Sequence, residues 1–367
     1  MMPRLIYANT KNSDMLYATK TNVPDAFLFL EFAENKFVFL DKRDLAAFKE
    51  HTTDKKLKIA SVEPFIRKNA PPNAGALVLS IIRKHATGHS QFEVPTHFPL
   101  DISEFLRSKG IVLKVKNPFF SNRLIKRAAE INTIEECLKK TGMAFKRIEE
   151  ILKLSSIKRS RIIFNGSILT SEFIKREMDL VLLEEDMINT EGIIVSSGRQ
   201  AAIPHHTGSG PLSPHQPIIC DIFPKNRSTG YFGDITRTYV KGHASKQMRK
   251  IYRAVLKAQK AGIAAIKPGV TGRKIHETCC KSFLKDGYEI GPKGFIHNTG
   301  HGLGLDIHEP PYLSKINNEP LMPGNIVTVE PGLYYKDKGS ARIEDVILVT
   351  KTGHRNLTNY PKFLEIS

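Results

Sequence analysis

Two aspartates in the segment 218–240, IICDIFPKNRSTGYFGDITRTYV, constrain this chain more than any other feature. Alternation with period two sets Asp221 on a strand face with Ile219 and Phe223, and Asp234 on a face with Phe232, Thr236 and Thr238. Residues 224–230 carry Pro, Asn, Ser and Gly, the chemistry of a loop between antiparallel strands, so the two carboxylates are expected side by side on inward faces. Ionised groups isolated in an apolar interior cost several kcal/mol, and like charges a few Å apart do not both stay ionised unaided. Such a hairpin needs a cation.

Three further segments supply candidate partners. Residues 294–311, GFIHNTGHGLGLDIHEPP, hold His297, His301 and His308 among glycines that allow close backbone approach. A single histidine there reads as an ordinary hydrogen-bonded loop residue, whereas three so close together point to a site. In 325–334, NIVTVEPGLY, Val327 and Val329 face one way and Thr328 and Glu330 the other, and Pro331 with Gly332 leaves Glu330 at a strand end. Residues 340–349, SARIEDVILV, read as one strand with Arg342, Glu344, Val346 and Leu348 on a shared face. Taken singly, Glu344 could pair with Arg342 and Glu330 could lie at a surface turn. As a set, two Asp, two Glu and one His, four of them on apolar strands, suit two divalent transition ions.

The remaining composition sets bounds. At 367 residues the chain is long for one core, so two domains are expected, and 41% hydrophobic with 25% charged residues describes a soluble globular protein. No run of apolar residues is long enough to cross a bilayer, and the first ten residues, broken by Arg4 and Asn9, lack a signal-peptide core. Cys137, Cys220, Cys279 and Cys280 show neither CxxC spacing nor a disulfide framework, in keeping with a cytoplasmic protein; Cys220 points away from Asp221 and reads as a small buried hydrophobe. The net charge of +18 raises nucleic acid as a partner, since eleven Lys and Arg lie between Asp234 and Glu277 with no acid among them. No aromatic-interleaved or zinc-finger pattern accompanies them, so a solvated basic face is favoured over polyanion binding.

In chain order, 1–115 alternates short strands and helices: strands at 26–32 and 36–40, a helix capped by Asp41 to about 50, a mixed stretch at 75–85, an amphipathic stretch at 102–108, and a strand at 111–115. This is a compact α/β domain, poor in ligand-type residues and expected to shape or assemble a site. NPFFSN at 117–122 is the linker candidate, which divides the chain into 1–118 and 119–367. Beyond it lie helices at 124–154 and 170–183, a strand at 192–195, and a helix at 244–266 whose apolar stripe is Met248, Ile251, Tyr252, Val255 and Leu256. Ser245 can cap that helix, and a further helix follows at 272–286.

Asp221 and Asp234 in DIFPKNRSTGYFGDITRT, His301 in GHGLGLDIHEPP, Glu330 in TVEPGLY and Glu344 in RIED together resemble the metallopeptidase family of aminopeptidase P, prolidase and methionine aminopeptidase. SDMLYAT and VPDAFLFLE near the N-terminus are similar to the accessory domain of the aminopeptidase P and prolidase branch, so the resemblance spans nearly the whole chain. It implies an α+β architecture: the α/β accessory domain, then a pita-bread catalytic domain of curved antiparallel sheet backed by helices. It also implies that Asp221 binds one ion, His301 the other, that Asp234 and Glu344 bridge or chelate both, and that Glu330 ligates and accepts a proton from the water held between them. Manganese is the expected ion, with cobalt, zinc or iron as alternatives. His297 and His308 match family histidines that contact substrate and stabilise the tetrahedral intermediate, and His205 matches a further active-site histidine, while His206 is incidental. Arg342 matches an arginine that orients the Glu344 carboxylate, and Tyr334 stands near the site. The implied activity is an exopeptidase cutting before proline at the second position, aminopeptidase P first and Xaa-Pro dipeptidase second, acting as a homodimer. A silent family fold that binds peptide or polyanion is the distant alternative. The connection between Asp221 and Asp234 is longer than in many relatives, which places the departure at the rim.

Overall fold

The computed structural model describes residues 2–66 and 73–367. It divides into two compact units, Met1–Arg123 and Leu124–Ser367.

The first unit is built on one six-stranded sheet. Its order is Leu57–Ser61, Asn35–Leu40, Phe27–Phe32, Arg4–Ala8, Gln91–Val94 and Val112–Val115. The three strands at its centre pair antiparallel and the outer ones parallel. Both faces are covered, because alternate residues go to different cores: Leu5, Leu28, Leu30 and Phe39 to one, Ile6, Phe27, Phe29, Val38 and Leu40 to the other. Asp41 caps the helix Lys42–His51 by accepting from the Arg43 N–H at 3.0 Å. The stretch read as mixed is a full helix, Ala74–His85, capped by Asn73 and carrying Val78, Leu79, Ile81 and Ile82 into the core. Phe119 and Phe120, from the linker candidate, are buried in this unit's core beside Phe29.

The second unit places helices behind curved sheets. A four-stranded sheet runs Ile193–Ser197, Ile218–Ile222, Ile235–Lys241 and Glu365–Ile366; a five-stranded one runs Glu309–Leu313, Gly300–Gly302, Ile326–Val329, Asp345–Val349 and His354–Asn356. The helix Ala128–Leu154 packs with Ser171–Glu184 behind the first sheet. The helix Lys246–Ala265 packs with Gly272–Lys285, and its buried stripe of Met248, Ile251, Tyr252 and Val255 covers the hairpin Gly332–Tyr335 with Gly339–Arg342. Ser245 caps it as expected, and Lys250, Arg253, Lys257 and Lys260 occupy its exposed face. None of the described helices is long and apolar enough to cross a membrane.

The stretch 340–349 is not one strand. It is two, Gly339–Arg342 and Asp345–Val349, which pair with different partners, and Ile343 and Glu344 make the crossing. The neighbouring stretch breaks at the same level, between Ile326–Val329 and Gly332–Tyr335, so Glu330 and Glu344 both stand at strand breaks. Proline accounts for the first break: Pro331 cannot donate to a ladder. At the second, the Glu344 N–H leaves its neighbour strand and bonds the Thr236 carbonyl at 3.1 Å.

Candidate metal centre

The hairpin forms, but Phe232 precedes the second strand and packs into the core with Cys220 and Ile222 rather than sharing the face of Asp234. Ile218–Ile222 pairs antiparallel with Ile235–Lys241, Asp221 stands opposite Thr236, and Asp234 lies one residue before the second strand on the side Thr236 shares. Cys220 points the other way, into the core with Ile218 and Ile222, and burial pushes its thiol pKa up. It is packing, not a ligand.

Around the hairpin the chain gathers the expected acids and histidine. Asp234, His301 and Glu344, all buried, place ligand-type atoms within 4.8 Å of one another, the one such cluster among the described residues. Glu330 adjoins it, with Oε1 3.3 Å from His301 Nε2, and Asp234 Oδ2 lies 3.7 Å from the same nitrogen. Asp221 stands on the hairpin beside them, its Oδ2 held by Arg342 Nη2 at 2.7 Å.

Arg342 differs from its expected role. It bonds Asp221, the Tyr334 hydroxyl at 2.9 Å and the Pro204 carbonyl at 3.1 Å, so it orients Asp221, while Glu344 is oriented by the Thr236 hydroxyl donating to Oε2 at 2.8 Å. Both side chains reach the acidic cluster, but they bond different partners there. Tyr334 passes the connection on. Asn298's carbonyl can only accept, so His297 Nδ1 carries the proton at 2.7 Å and Nε2 accepts from the Tyr334 hydroxyl at 2.9 Å. Burial lowers the His297 pKa to about 4, in keeping with that neutral ring, and burial raises the Tyr334 hydroxyl to about 12.

Do these residues fit cations? Three observations say so. Asp221 Oδ1 and Glu344 Oε1 are buried with no hydrogen-bond partner, which for carboxylate oxygens is costly. His301 Nδ1 faces the Gly302 carbonyl at 3.1 Å, so it donates there and turns Nε2 towards the oxygens of Glu330 and Asp234. A nitrogen and two carboxylates converging on one point are held together by a cation among them or by a proton shared between Nε2 and Glu330. Finally, burial raises the pKa of Asp221, Asp234 and Glu344, and for Asp234 the carboxylates of Glu344, Asp221 and Glu330 add to it. Burial would raise Glu330 too, but the His301 hydrogen bond, with His301, His297 and Arg342 nearby, holds it down at about 2. Oxygen-rich ligands with one imidazole suit divalent ions such as manganese.

These shifts set the pH dependence of the metal-free chain. Asp221, Asp234 and Glu344 have raised folded pKa values, so their stabilising contribution is complete below the ordinary carboxylate range and is lost as pH rises through the raised values. Glu330 runs the other way, contributing above that range and losing the contribution only as pH falls towards about 2. Divalent ions compete with the protons on the first three. The rise in Tm on adding manganese is therefore expected to grow as pH climbs from the ordinary carboxylate range through the raised values, as differential scanning fluorimetry would record; a rise independent of pH would contradict the assignment.

The remaining predicted residues take different positions. His308 is exposed and its ring meets His301 edge-on, with centroids 4.3 Å apart. His205 is exposed, close enough to both His297 and His308 to affect their charge. His206 Nδ1 accepts from the Gly208 N–H at 2.9 Å, a loop contact that agrees with its incidental reading. The sequence reading gave no role to Thr328, whose Oγ1 accepts the His301 N–H at 3.1 Å and whose hydroxyl donates to Glu330 at 3.4 Å. Nor did it assign one to Arg237; a cation alternating with inward threonines on an apolar strand was the available signal.

The sequence profile of metallopeptidase family M24 matches residues 132–351, well over half of the chain. The chain belongs to metallopeptidase family M24. Among M24 relatives, an uncharacterized peptidase of Bacillus subtilis is 37% identical over 244 residues, covering 66% of this chain and 65% of that one. An Xaa-Pro dipeptidase of Pyrococcus furiosus is 35% identical over 192 residues, covering 50% of this chain and 54% of that one. The matched stretches thus span less than two thirds of these two curated relatives. An Xaa-Pro dipeptidase of Bacillus anthracis has a similar solved structure, with TM-score 0.83 and 25% identity over 100% of this chain and 95% of that one. The M24 member described here has the pita-bread fold, in the branch of prolidases and aminopeptidase P-like enzymes.

Proposed function

We propose that this M24 metallopeptidase is a two-metal exopeptidase that hydrolyses the bond before proline at peptide N-termini. The observation that carries the proposal is the gathering of Asp221, Asp234, Glu330 and Glu344 around His301 Nε2, with two carboxylate oxygens unpartnered. Those five residues would hold two divalent ions, which supply Lewis acidity and a water acidified enough to attack at neutral pH.

The chain's own groups divide the remaining work. Glu330, held below the ordinary carboxylate range by the His301 hydrogen bond, is ionised throughout the neutral range and would take up the proton of the attacking water. His297 stays a neutral ring in one tautomer, fixed by the Asn298 carbonyl and the Tyr334 hydroxyl. The exposed imidazoles of His205 and His308 would donate hydrogen bonds to the substrate carbonyl, and such a donor, strengthening as charge develops, contributes about 3 kcal/mol. Arg342 keeps Asp221 from turning away and keeps Tyr334 aimed at His297.

The names of the relatives favour the dipeptide as substrate at least as well as a longer Xaa-Pro peptide. A panel on manganese-loaded protein separates these readings. Cleavage confined to an Xaa-Pro dipeptide identifies a prolidase, and cleavage of Xaa-Pro tripeptides and longer chains an aminopeptidase P. A Met-Ala peptide is expected to remain intact. Absence of hydrolysis on every Xaa-Pro substrate would refute the proposal.

A further inference from the structure

Arg237 is among the largest fully buried side chains of the molecule, and a buried guanidinium needs an acceptor for each of its five N–H groups. It has them. Nε donates to the Pro361 carbonyl at 2.9 Å, Nη1 to the carbonyls of Thr236 at 2.9 Å and Glu344 at 2.5 Å, and Nη2 to the Tyr360 carbonyl at 2.9 Å and Asp345 Oδ1 at 3.0 Å. Asp345 is itself fully buried, and its other oxygen accepts from Asn356 at 2.7 Å and from Lys362.

The position of this fork matters more than its saturation. Glu344 lies in the crossing between two strands, where the main chain has left the regular ladder, and a buried carbonyl there must find a partner outside it. Arg237 provides that partner. The same Thr236 whose carbonyl Arg237 holds accepts the Glu344 N–H at 3.1 Å and donates its hydroxyl to Glu344 Oε2 at 2.8 Å. One guanidinium thus fixes both main-chain segments that aim the Glu344 carboxylate, and ties them to the C-terminal segment through Tyr360 and Pro361. These five hydrogen bonds go to four main-chain carbonyls and Asp345, none of them a clustered carboxylate, so Arg237 acts through the backbone.

We propose that Arg237, paired with Asp345, is a positioning residue of the metal centre: it stabilises the strand break that points Glu344 at the ions. This rests on the two-metal reading above. A residue that merely fills the core would affect folding alone, and a positioning residue affects ion affinity as well. The two are separable because ion affinity and ligand geometry are read on the folded protein, below its Tm, where a loss of stability alone leaves them unchanged.

The test compares wild type, Arg237→Lys and the double variant Arg237→Met/Asp345→Leu, each freed of metal and titrated with cobalt. Calorimetry gives affinity, visible absorption reports ligand geometry, and Tm is recorded without metal. The double variant orphans the carbonyls of Thr236, Glu344, Tyr360 and Pro361, so its metal-free Tm is expected to fall; below that Tm, at least one ion is expected to bind tenfold or more weakly, with an altered cobalt spectrum. Arg237→Lys retains the charge without the planar five-donor fork, so it is expected to show the same weakening and decides the matter if the double variant does not fold. Wild-type affinity and spectrum in both variants would overturn the proposal while leaving the two-metal reading intact. No binding by wild type would instead remove the reading on which the proposal rests.

Discussion

Asp234→Asn is expected to lose metal and activity while making the metal-free protein more stable. The Asp234 carboxylate is 3% exposed, and burial together with Glu344, Asp221 and Glu330 raises its pKa well above the ordinary value. The amide has nearly the same shape and carries no charge, so it relieves that repulsion. Neutralising one of several mutually repelling buried carboxylates is therefore expected to raise the stability of the metal-free form at neutral pH. Ion binding moves in the opposite direction. Loss of even an outer contact to a ligand costs 10- to 100-fold, and loss of a carboxylate from the centre itself should cost more, with hydrolysis reduced by more than ~100-fold. Elemental analysis, denaturation of the metal-free forms and initial rates measure the three effects. A variant as active as wild type, or one less stable without metal, would contradict the site.

The second large effect is expected at Gly300. A Cβ there would stand 1.9 Å from the Thr328 carbonyl oxygen and 2.9 Å from Thr328 Oγ1, so the obstacle is backbone and cannot swing aside. Gly300–Gly302 pairs with Ile326–Val329 through Gly302, and the Thr328 hydroxyl that receives the His301 N–H lies in that contact. Gly300→Ala must push the two strands apart and carry His301 with them. Overpacking a core costs about 1 to 3 kcal/mol, and a clash with main chain belongs at or above the upper end. A displacement of about 1 Å at a reactive centre costs about 100-fold in rate. Tm and kcat are expected to fall together, and a variant with unchanged Tm would show that the strands are not packed as described.

These consequences differ in how far they could be read from the sequence. The hairpin was legible because its signal is local: alternation, a polar loop and two inward acids follow from residues a short distance apart. The helix at 246–265 was legible for the same reason, since Ser245, the apolar stripe and the Pro268–Gly269 stop are all neighbours in sequence. The break at Ile343 and Glu344 was not. Nothing in SARIEDVILV interrupts a strand; the interruption comes from Thr236 and Arg237, more than a hundred residues earlier, which satisfy the peptide groups that the ladder loses. The partner of Arg342 was likewise decided by tertiary structure, because once the strand breaks, Glu344 turns to Thr236 and Arg342 to Asp221. The helix at 74–85 was obscured by Gly75 and by β-branched residues of weak helix propensity, and burial of its apolar side chains prevailed over that preference.

The central claim, that a buried acidic cage holds the ions which perform the chemistry, is tested most directly by titrating manganese into metal-free wild-type protein while following hydrolysis of an Xaa-Pro dipeptide and an Xaa-Pro tripeptide in the same samples. The account predicts two ions bound per chain, no hydrolysis by the metal-free protein, and a rate that rises with occupancy and is abolished again by chelation. Full hydrolysis in excess chelator, or manganese binding that leaves both substrates untouched, would contradict it.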